Sequence, residues 1–238
     1  MIEGIGFDAD DTLWESEATF VGIAGRVREM LAQHCAPEVL DARLLEIEAA
    51  NLAIYGYGAK AFTLSLIETA IDLAGDELTI AEVRLLLDAG KEILAHPVEL
   101  RSGAEEAVKA AVDVGVPVLI ITKGDLFHQE SKVARSGLGD LVDHVEVVAE
   151  KDPATYRRIT GRYGLAPDRF LMVGNALRSD IEPVLAIGGW AAFVPHELTW
   201  ALEAHVDDEA SLQEHPRFRL LPSLVELPAL LDELTGGD

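Results

Sequence analysis

The chain has 238 residues, of which 49% are hydrophobic, so it can form one large domain or a core with a smaller second domain. Forty-two acidic residues against nineteen basic ones give a net charge of -23, which disfavours nucleic acid and anionic membranes as partners. The single Cys35 cannot form an internal disulfide, the opening residues lack a basic and apolar leader, and no apolar run could span a bilayer. A cytoplasmic location is therefore expected.

The first predicted element is a short buried strand over residues 2–7, which delivers Asp8 at its end. Helical periodicity then begins and continues, without any strand signal, as far as His96-Pro97. This block predicts four consecutive helices, over residues 18–34, 37–54, 61–74 and 79–95. The fourth opens with a capping box formed by Thr79 and Glu82.

Beyond residue 97 the pattern changes to an alternation of apolar strands and helices. The predicted strands cover residues 116–121, 145–148, 170–173, 191–194 and 218–221. The predicted helices cover residues 102–115, 125–136, 153–163, 179–187 and 224–234. Ser102 and Glu105 predict a capping box for the first of these helices, and Asp152 predicts the N-cap of the helix that opens at Pro153.

Such alternation is typical of a parallel sheet with helices on both faces. The strand at residues 2–7 belongs to this sheet but is separated from it in sequence by the helical block. The predicted fold class is therefore α/β, with a doubly wound, Rossmann-like core and an inserted all-helical domain. The predicted core comprises residues 1–14 and 98–238, and the predicted helical domain comprises residues 15–97.

Polar side chains follow each of the first four strands, at the edge where open parallel sheets bind their ligands. They are Asp8, Asp10, Asp11 and Thr12 after the first strand, Thr122, Lys123, Gly124 and Asp125 after the second, Glu150, Lys151 and Asp152 after the third, and Gly174, Asn175, Arg178, Ser179 and Asp180 after the fourth. Crowded carboxylates repel one another and are stabilised by a cation. The set suits metal-assisted phosphoryl transfer, because carboxylate oxygens bind Mg²⁺ while ammonium, hydroxyl and N–H groups neutralise phosphoryl oxygens.

Four segments resemble, in the same order, the four motifs of the haloacid dehalogenase superfamily. They are Phe7-Asp8-Ala9-Asp10-Asp11-Thr12-Leu13, Ile121-Thr122-Lys123-Gly124, Lys151-Asp152-Pro153, and Gly174-Asn175 through Asp180. The resemblance covers the whole core, and the helical insert lies where many members carry a helical cap.

The resemblance implies a role for each catalytic residue. Asp8 is the nucleophile, which forms an aspartyl-phosphate, and Asp10 is the general acid and base. Thr122 hydrogen-bonds the phosphoryl group and Lys151 stabilises both that group and the nucleophile. Lys123 is a second candidate for binding phosphate, through its ammonium or through nearby N–H groups.

The resemblance also implies a Mg²⁺ site and shows two departures from the family pattern. Asp8 and Asp180 would supply carboxylates to the metal, and Asp10 its backbone carbonyl. Asn175 stands where the family often has Asp, so it keeps an oxygen ligand but lacks a charge. Asp11 stands where the family often has Gly, and we expect it to face solvent or a helix N-terminus, without a catalytic role.

Aromatic residues and glycines interrupt the helical pattern within the predicted cap. Tyr55, Tyr57, Lys60 and Phe62 are candidates for a loop that selects the substrate. The alternative is an ordinary connection between two helices. Lys60 is a candidate for contact with an anionic part of a substrate. The alternative is a Schiff base, as in phosphonate-cleaving relatives, and it is disfavoured because nothing indicates a desolvated lysine.

The residues and the resemblance together predict a Mg²⁺-dependent phosphatase that acts on a small phosphorylated metabolite. An Asp at position 10 favours phosphate esters, because the dehalogenases of the superfamily attack carbon without an acid there. One alternative is a phosphomutase, which would return the phosphoryl group to its substrate. The other is a catalytically weak protein that binds phosphate for regulation.

Overall fold

The structure is a computed structural model that describes residues 1–204 and 209–236. Its strands are β1 (Gly4–Phe7), β2 (Val118–Lys123), β3 (His144–Val148), β4 (Phe170–Gly174), β5 (Trp190–Phe193) and β6 (Phe218–Leu220). Within the described residues these strands form one parallel sheet in the order β3-β2-β1-β4-β5-β6. The six strands predicted from the sequence are all present.

The helices fall into two groups along the chain. The first group is α1 (Glu17–Met30), α2 (Pro37–Tyr55), α3 (Ala59–Ala74) and α4 (Ile80–Ala95). The second group is α5 (Ala104–Asp113), α6 (Leu126–Ser136), α7 (Pro153–Arg162), α8 (Glu182–Ala186), α9 (Glu209–Gln213) and α10 (Leu227–Thr235). A π-helical turn, Leu177–Ile181, connects β4 to α8. None of the helices in the described part of the chain is both long and apolar enough to cross a membrane.

Helices cover both faces of the sheet, as the fold class requires. Successive residues of β4 alternate between the faces, because side chains of a strand point to opposite sides in turn. Leu171 and Val173 pack in the cluster that includes α5 and α10, whereas Phe170 and Met172 pack with α7 and α8. The central strands β1 and β4 are buried along their whole length, and the polar side chains Asp8 and Asn175 come directly after them.

By their contacts, the described residues divide into two compact units. The first, which we call the sheet unit, comprises residues 1–15, 98–123 and 129–238, and the second, the helical unit, comprises residues 16–97 and 124–128. The helical unit has its own hydrophobic core, formed by α1 to α4. The sequence pattern assigned residues 124–128 to the core; in the structure Asp125 contacts Lys60 instead. That the helical unit serves as a cap remains a prediction.

The helix termini test the predicted caps. Thr79 and Glu82 form both hydrogen bonds of a capping box, and the Asp152 side chain accepts from Thr155 N–H, as predicted. The capping box predicted for Ser102 is absent, because α5 begins after Gly103, whose positive φ of 80° sets the turn into the helix.

Candidate active site

The candidate site lies at the carboxyl end of β1, in the middle of the sheet. β1 pairs with β2 on one side and β4 on the other, which is where the strand order reverses. Ligands of open parallel sheets bind at such a point. The fold thereby brings Asp8, Lys151 and Asp180 into contact although 143 residues separate the first two.

One ammonium group faces two carboxylates in this site. Lys151 Nζ contacts Asp8 Oδ1 and lies 2.7 Å from Asp180 Oδ1. The side chains of Lys151 and Asp180 are each only 1% exposed. Burial disfavours the ammonium, but the two carboxylates outweigh burial and hold the pKa of Lys151 above its usual value. The cluster of these three groups therefore carries an excess of negative charge.

Asp180 is placed by the backbone around it. Asp180 Oδ2 accepts a hydrogen bond from the Ala176 N–H at 3.0 Å. A Cβ atom at Gly174 would come within 2.3 Å of the same oxygen, so glycine is needed there to leave room for the carboxylate. Burial and the nearby Asp8 carboxylate raise the pKa of Asp180 to about 7, against the opposing effect of Lys151.

Thr12 and Asn175 hold the second oxygen of Asp8. The Thr12 hydroxyl donates to Asp8 Oδ2 at 2.9 Å. Because that hydroxyl has one proton, it accepts from the Asn175 amide nitrogen, 3.0 Å away. In this orientation the Asn175 amide also donates to Asp8 Oδ2 at 3.2 Å and to the Asp10 carbonyl oxygen at 3.3 Å. Asn175 thus links two of the oxygens that were predicted as metal ligands.

The same residues fit a divalent cation. Asp8 and Asp180 offer carboxylate oxygens, and Asp10 offers its backbone carbonyl oxygen. Asn175 offers an amide oxygen once its side-chain amide is rotated by half a turn. Hard cations such as Mg²⁺ prefer oxygen ligands of these kinds. The excess negative charge of the buried cluster favours a cation too. The predicted ligand set is therefore chemically suitable, and each ligand assignment remains a prediction.

Asp10 is bound by three donors that the sequence analysis did not identify. Trp14 Nε1 donates to Asp10 Oδ1 at 2.6 Å, and Gln129 Nε2 donates to Oδ2 at 2.8 Å. Lys132 Nζ lies 2.5 Å from Oδ1 and 2.7 Å from Oδ2. Burial raises the pKa of Asp10, but Lys132 and the hydrogen bonds outweigh burial and lower the pKa below its usual value.

Thr122 and Lys123, the predicted phosphate-binding residues of β2, both have protein partners. The buried Thr122 hydroxyl donates to the Lys123 carbonyl oxygen at 3.3 Å and accepts from Gln129 at 3.1 Å. The Lys123 ammonium contacts Glu203 and lies 3.5 Å from Glu150. Their roles towards phosphate remain predictions.

The expectation that Asp11 faces solvent or a helix N-terminus needs correction, because Asp11 is 8% exposed and lies 3.7 Å from His196 Nε2. His196 Nε2 is also 2.9 Å from Glu15 Oε2, and one ligand atom from each of the three residues lies within 4.8 Å of the others. Arg101 Nε lies 3.6 Å from Glu15 Oε1. Arg101 therefore places a guanidinium beside this group.

The predicted selectivity residues lie within the helical unit. Tyr55 is 48% exposed, Tyr57 is half-buried, and Phe62 is buried in the core of the unit, where a structural role accounts for it. Lys60 Nζ lies 3.1 Å from Asp125 Oδ1 with its side chain 56% exposed. This exposed ion pair gives no desolvation that would activate Lys60 as a Schiff-base nucleophile.

Comparisons with known proteins match the chain over most of its length. The sequence model of the haloacid dehalogenase-like hydrolases, a hydrolase family, matches residues 2–188. A haloacid dehalogenase-like family hydrolase from Xanthomonas campestris is 41% identical, with a TM-score of 0.86, and the match covers 99% of this chain and 92% of that one. Among curated proteins, none matches the chain.

Two more distant structures share the fold but differ in their described activities. A predicted phosphoglycolate phosphatase from Haemophilus somnus is 16% identical, with a TM-score of 0.62 and coverage of 97% of this chain and 98% of that one. A 2-haloacid dehalogenase from Pseudomonas syringae is 20% identical, with a TM-score of 0.61 and coverage of 98% and 99%. The fold is thus shared by proteins named for cleaving different bonds, and the reaction has to be argued from the site.

Proposed function

Because the chain belongs to the haloacid dehalogenase-like hydrolases, as its motifs predicted, we propose that it is a phosphatase that hydrolyses a small phosphate monoester. The observation that carries the proposal is the second carboxylate, Asp10, anchored by three donors two residues after the nucleophile Asp8. Departure of an alcohol from phosphorus needs a proton, whereas departure of a halide from carbon does not. A carboxyl group held at this position supports phosphate-ester hydrolysis. Because Lys132 lowers its pKa, Asp10 has to take up a proton before it can protonate the departing oxygen.

The first step transfers the phosphoryl group to Asp8. A carboxylate oxygen of Asp8 attacks phosphorus, the bond from phosphorus to the ester oxygen breaks, and the departing oxygen takes a proton from Asp10. Lys151, in contact with Asp8, offsets the negative charge that gathers there. The Thr122 hydroxyl is the proposed hydrogen-bond partner of the phosphoryl oxygens.

The second step releases phosphate. Asp10, now a carboxylate, takes a proton from water, the water oxygen attacks phosphorus, and the bond from phosphorus to Asp8 breaks. Asp8 regains its carboxylate, which again accepts hydrogen bonds from the Thr12 hydroxyl and the Lys151 ammonium. A Mg²⁺ ion bound by the oxygen ligands around Asn175 would neutralise phosphoryl oxygens.

The substrate is proposed to be a small soluble metabolite in the cytoplasm, selected by the helical unit acting as a cap. The net charge of -23 supports this choice over nucleic acid or an anionic membrane. A phosphomutase would use the same first step but return the phosphoryl group to a substrate oxygen. A regulatory phosphate-binding protein would bind the ester without turnover.

Phosphate release from a panel of sugar phosphates, nucleotides, phosphorylated acids and p-nitrophenyl phosphate, with Mg²⁺, tests the proposal. We expect turnover of at least one ester, and loss of that turnover in Asp8→Asn but not in the surface control Asp113→Asn. Halide release from 2-chloropropionate in place of phosphate release would identify a dehalogenase. A bisphosphate intermediate without net phosphate release would identify a mutase, and binding without turnover would identify a regulatory protein.

A further inference from the structure

Lys132 is a buried lysine whose ammonium is directed at one carboxylate. Its side chain is 10% exposed, and Nζ lies within hydrogen-bond distance of both oxygens of Asp10. Burying an ammonium is unfavourable unless a charge of opposite sign and hydrogen bonds compensate. Asp10 is the ion-pair partner that the described structure gives to Lys132, so the two side chains fix each other.

Gln129 lies one turn before Lys132 on α6 and holds the same carboxylate. Its amide nitrogen donates to Asp10 Oδ2, to Thr122 Oγ1 and to the Lys123 carbonyl oxygen. The amide must point its nitrogen at Asp10, since its oxygen would otherwise face a carboxylate. Gln129 therefore connects the proposed acid and base to the proposed phosphate-binding hydroxyl.

The side-chain carbonyl oxygen of Gln129 does not contribute to stability in the same way as its N–H donors. Gln129 Oε1 is buried and has no hydrogen-bond partner among the described residues. A buried acceptor left unpaired costs about 1–3 kcal/mol. The contacts that Gln129 makes in the structure are those of its N–H donors.

From these contacts we infer that Lys132 and Gln129 are positioning residues that fix the orientation of the Asp10 carboxylate for both proton transfers. The inference rests on the proposed phosphatase function and adds two residues to the site, neither of which we assign to the phosphoryl group. Lys132 holds both oxygens, Trp14 and Gln129 hold one each, and the Asp10 side chain remains 29% exposed. A carboxylate held in this way cannot rotate without losing several of these bonds at once.

Steady-state kinetics with p-nitrophenyl phosphate, or with the best ester of the panel, test the inference. We expect Lys132→Met to lower kcat by about 10²-fold, the effect of a small misplacement of a catalytic group, with KM nearly unchanged. Lys132→Arg should restore part of the rate, because a guanidinium can also bind both oxygens of a carboxylate. Lys109→Met, at an exposed lysine paired with Glu105 on α5, is the matched control and should leave kcat unchanged.

A double-mutant cycle distinguishes positioning from a direct role. If Lys132 acts through Asp10, adding Lys132→Met to Asp10→Asn should change kcat by less than about twofold. A full loss in the Asp10→Asn background, or a rise in KM with kcat unchanged, would overturn the inference by showing that Lys132 acts on the substrate.

Gln129→Met separates the functional role of the glutamine from a structural one. The substitution removes the unpaired Oε1, which favours stability, and the N–H donors, which opposes it. The urea midpoint of unfolding should therefore change little while kcat falls. A lowered midpoint with unchanged kcat would assign Gln129 a structural role and overturn its part of the inference. If the wild-type protein hydrolyses no ester, the proposed function and this inference are both refuted. If the wild type is active and Lys132→Met has the same kcat, only the inference is refuted.

Discussion

Lys151→Met is the substitution whose consequence follows most directly from the buried ion cluster. It removes the ammonium that lies between Asp8 and Asp180 and leaves two carboxylates facing each other with almost no solvent. Removing one partner of a buried ion pair typically costs about 3–5 kcal/mol. Because Asp180 has a pKa of about 7 and can take up a proton, we expect a cost near the lower end, about 3 kcal/mol.

Urea unfolding at neutral pH, with EDTA present, measures this cost. The three tryptophans, Trp14, Trp190 and Trp200, all lie in the sheet unit, so their fluorescence reports on the unit that contains Lys151. Far-ultraviolet circular dichroism should be followed in parallel, since two compact units can unfold in separate transitions. Lys109→Met, at an exposed ion pair, should cost less than about 1 kcal/mol.

Lys151→Met should also lower the rate of phosphate release by about 10²–10³-fold, the usual effect of removing a donor that stabilises charge in a transition state. If Lys151→Met unfolds at the same urea concentration as the Lys109→Met control, Lys151 is not the counter-ion of the two carboxylates. The charge balance described for the site would then be wrong.

Two further predictions concern the residues around Asp8 and Asp180, and a third concerns the start of α4. Gly174→Ala should displace Asp180, lower the free energy of unfolding by about 1–3 kcal/mol and abolish phosphate release, as urea unfolding and an activity assay would show. Asn175→Asp should lower the urea midpoint in EDTA, because it adds a third carboxylate, and should tighten Mg²⁺ binding about tenfold in calorimetry. Thr79→Ala should cost about 1 kcal/mol at pH 7. That difference should shrink as the pH falls from 4.5 towards 2 in urea titrations. The bond from the Thr79 hydroxyl to the Glu82 carboxylate, which the substitution removes, helps to lower the pKa of Glu82 to about 2, and protonation of Glu82 weakens that bond.

The sequence was sufficient to predict the sheet and the residues at its strand ends. The central strands β1, β2 and β4 are largely apolar runs, and polar side chains such as Asp8, Thr122 and Asn175 stand at or just after their carboxyl ends. Parallel strands place their carboxyl ends at one edge, so the order of these residues along the chain was enough to assemble Asp8, Lys151 and Asp180.

Local patterns do not reveal contacts across long separations in sequence. Gln129 and Lys132 lie three residues apart on one face of α6, which periodicity alone explains as an ordinary amphipathic helix. Their bonds to Asp10 span 119 and 122 residues. The sequence signal for these contacts was a Gln and a Lys on one face of the helix that directly follows the predicted phosphate-binding strand end.

Asp11 illustrates a second limit. Asp11 stands where the family often has Gly, and its carboxylate was expected to face solvent or a helix N-terminus. In the structure Asp11 is buried and lies 3.7 Å from His196, a residue of the segment that follows β5. The sequence between β5 and β6 has too weak a pattern to predict this contact.

The central claim is that Asp8 carries the phosphoryl group between the two steps. Asp10→Asn lacks the base of the second step, whereas p-nitrophenolate, a weakly basic leaving group, departs in the first step without a proton from Asp10. The phosphorylated protein should therefore accumulate when this variant is mixed with p-nitrophenyl phosphate and Mg²⁺ and quenched in acid. Mass spectrometry of the digested protein should then find one phosphoryl group on the peptide that contains Asp8, and none after the Asp8→Asn substitution is added. A phosphoryl group on another residue, or an active enzyme in which Asp8→Asn retains full turnover, would contradict the account.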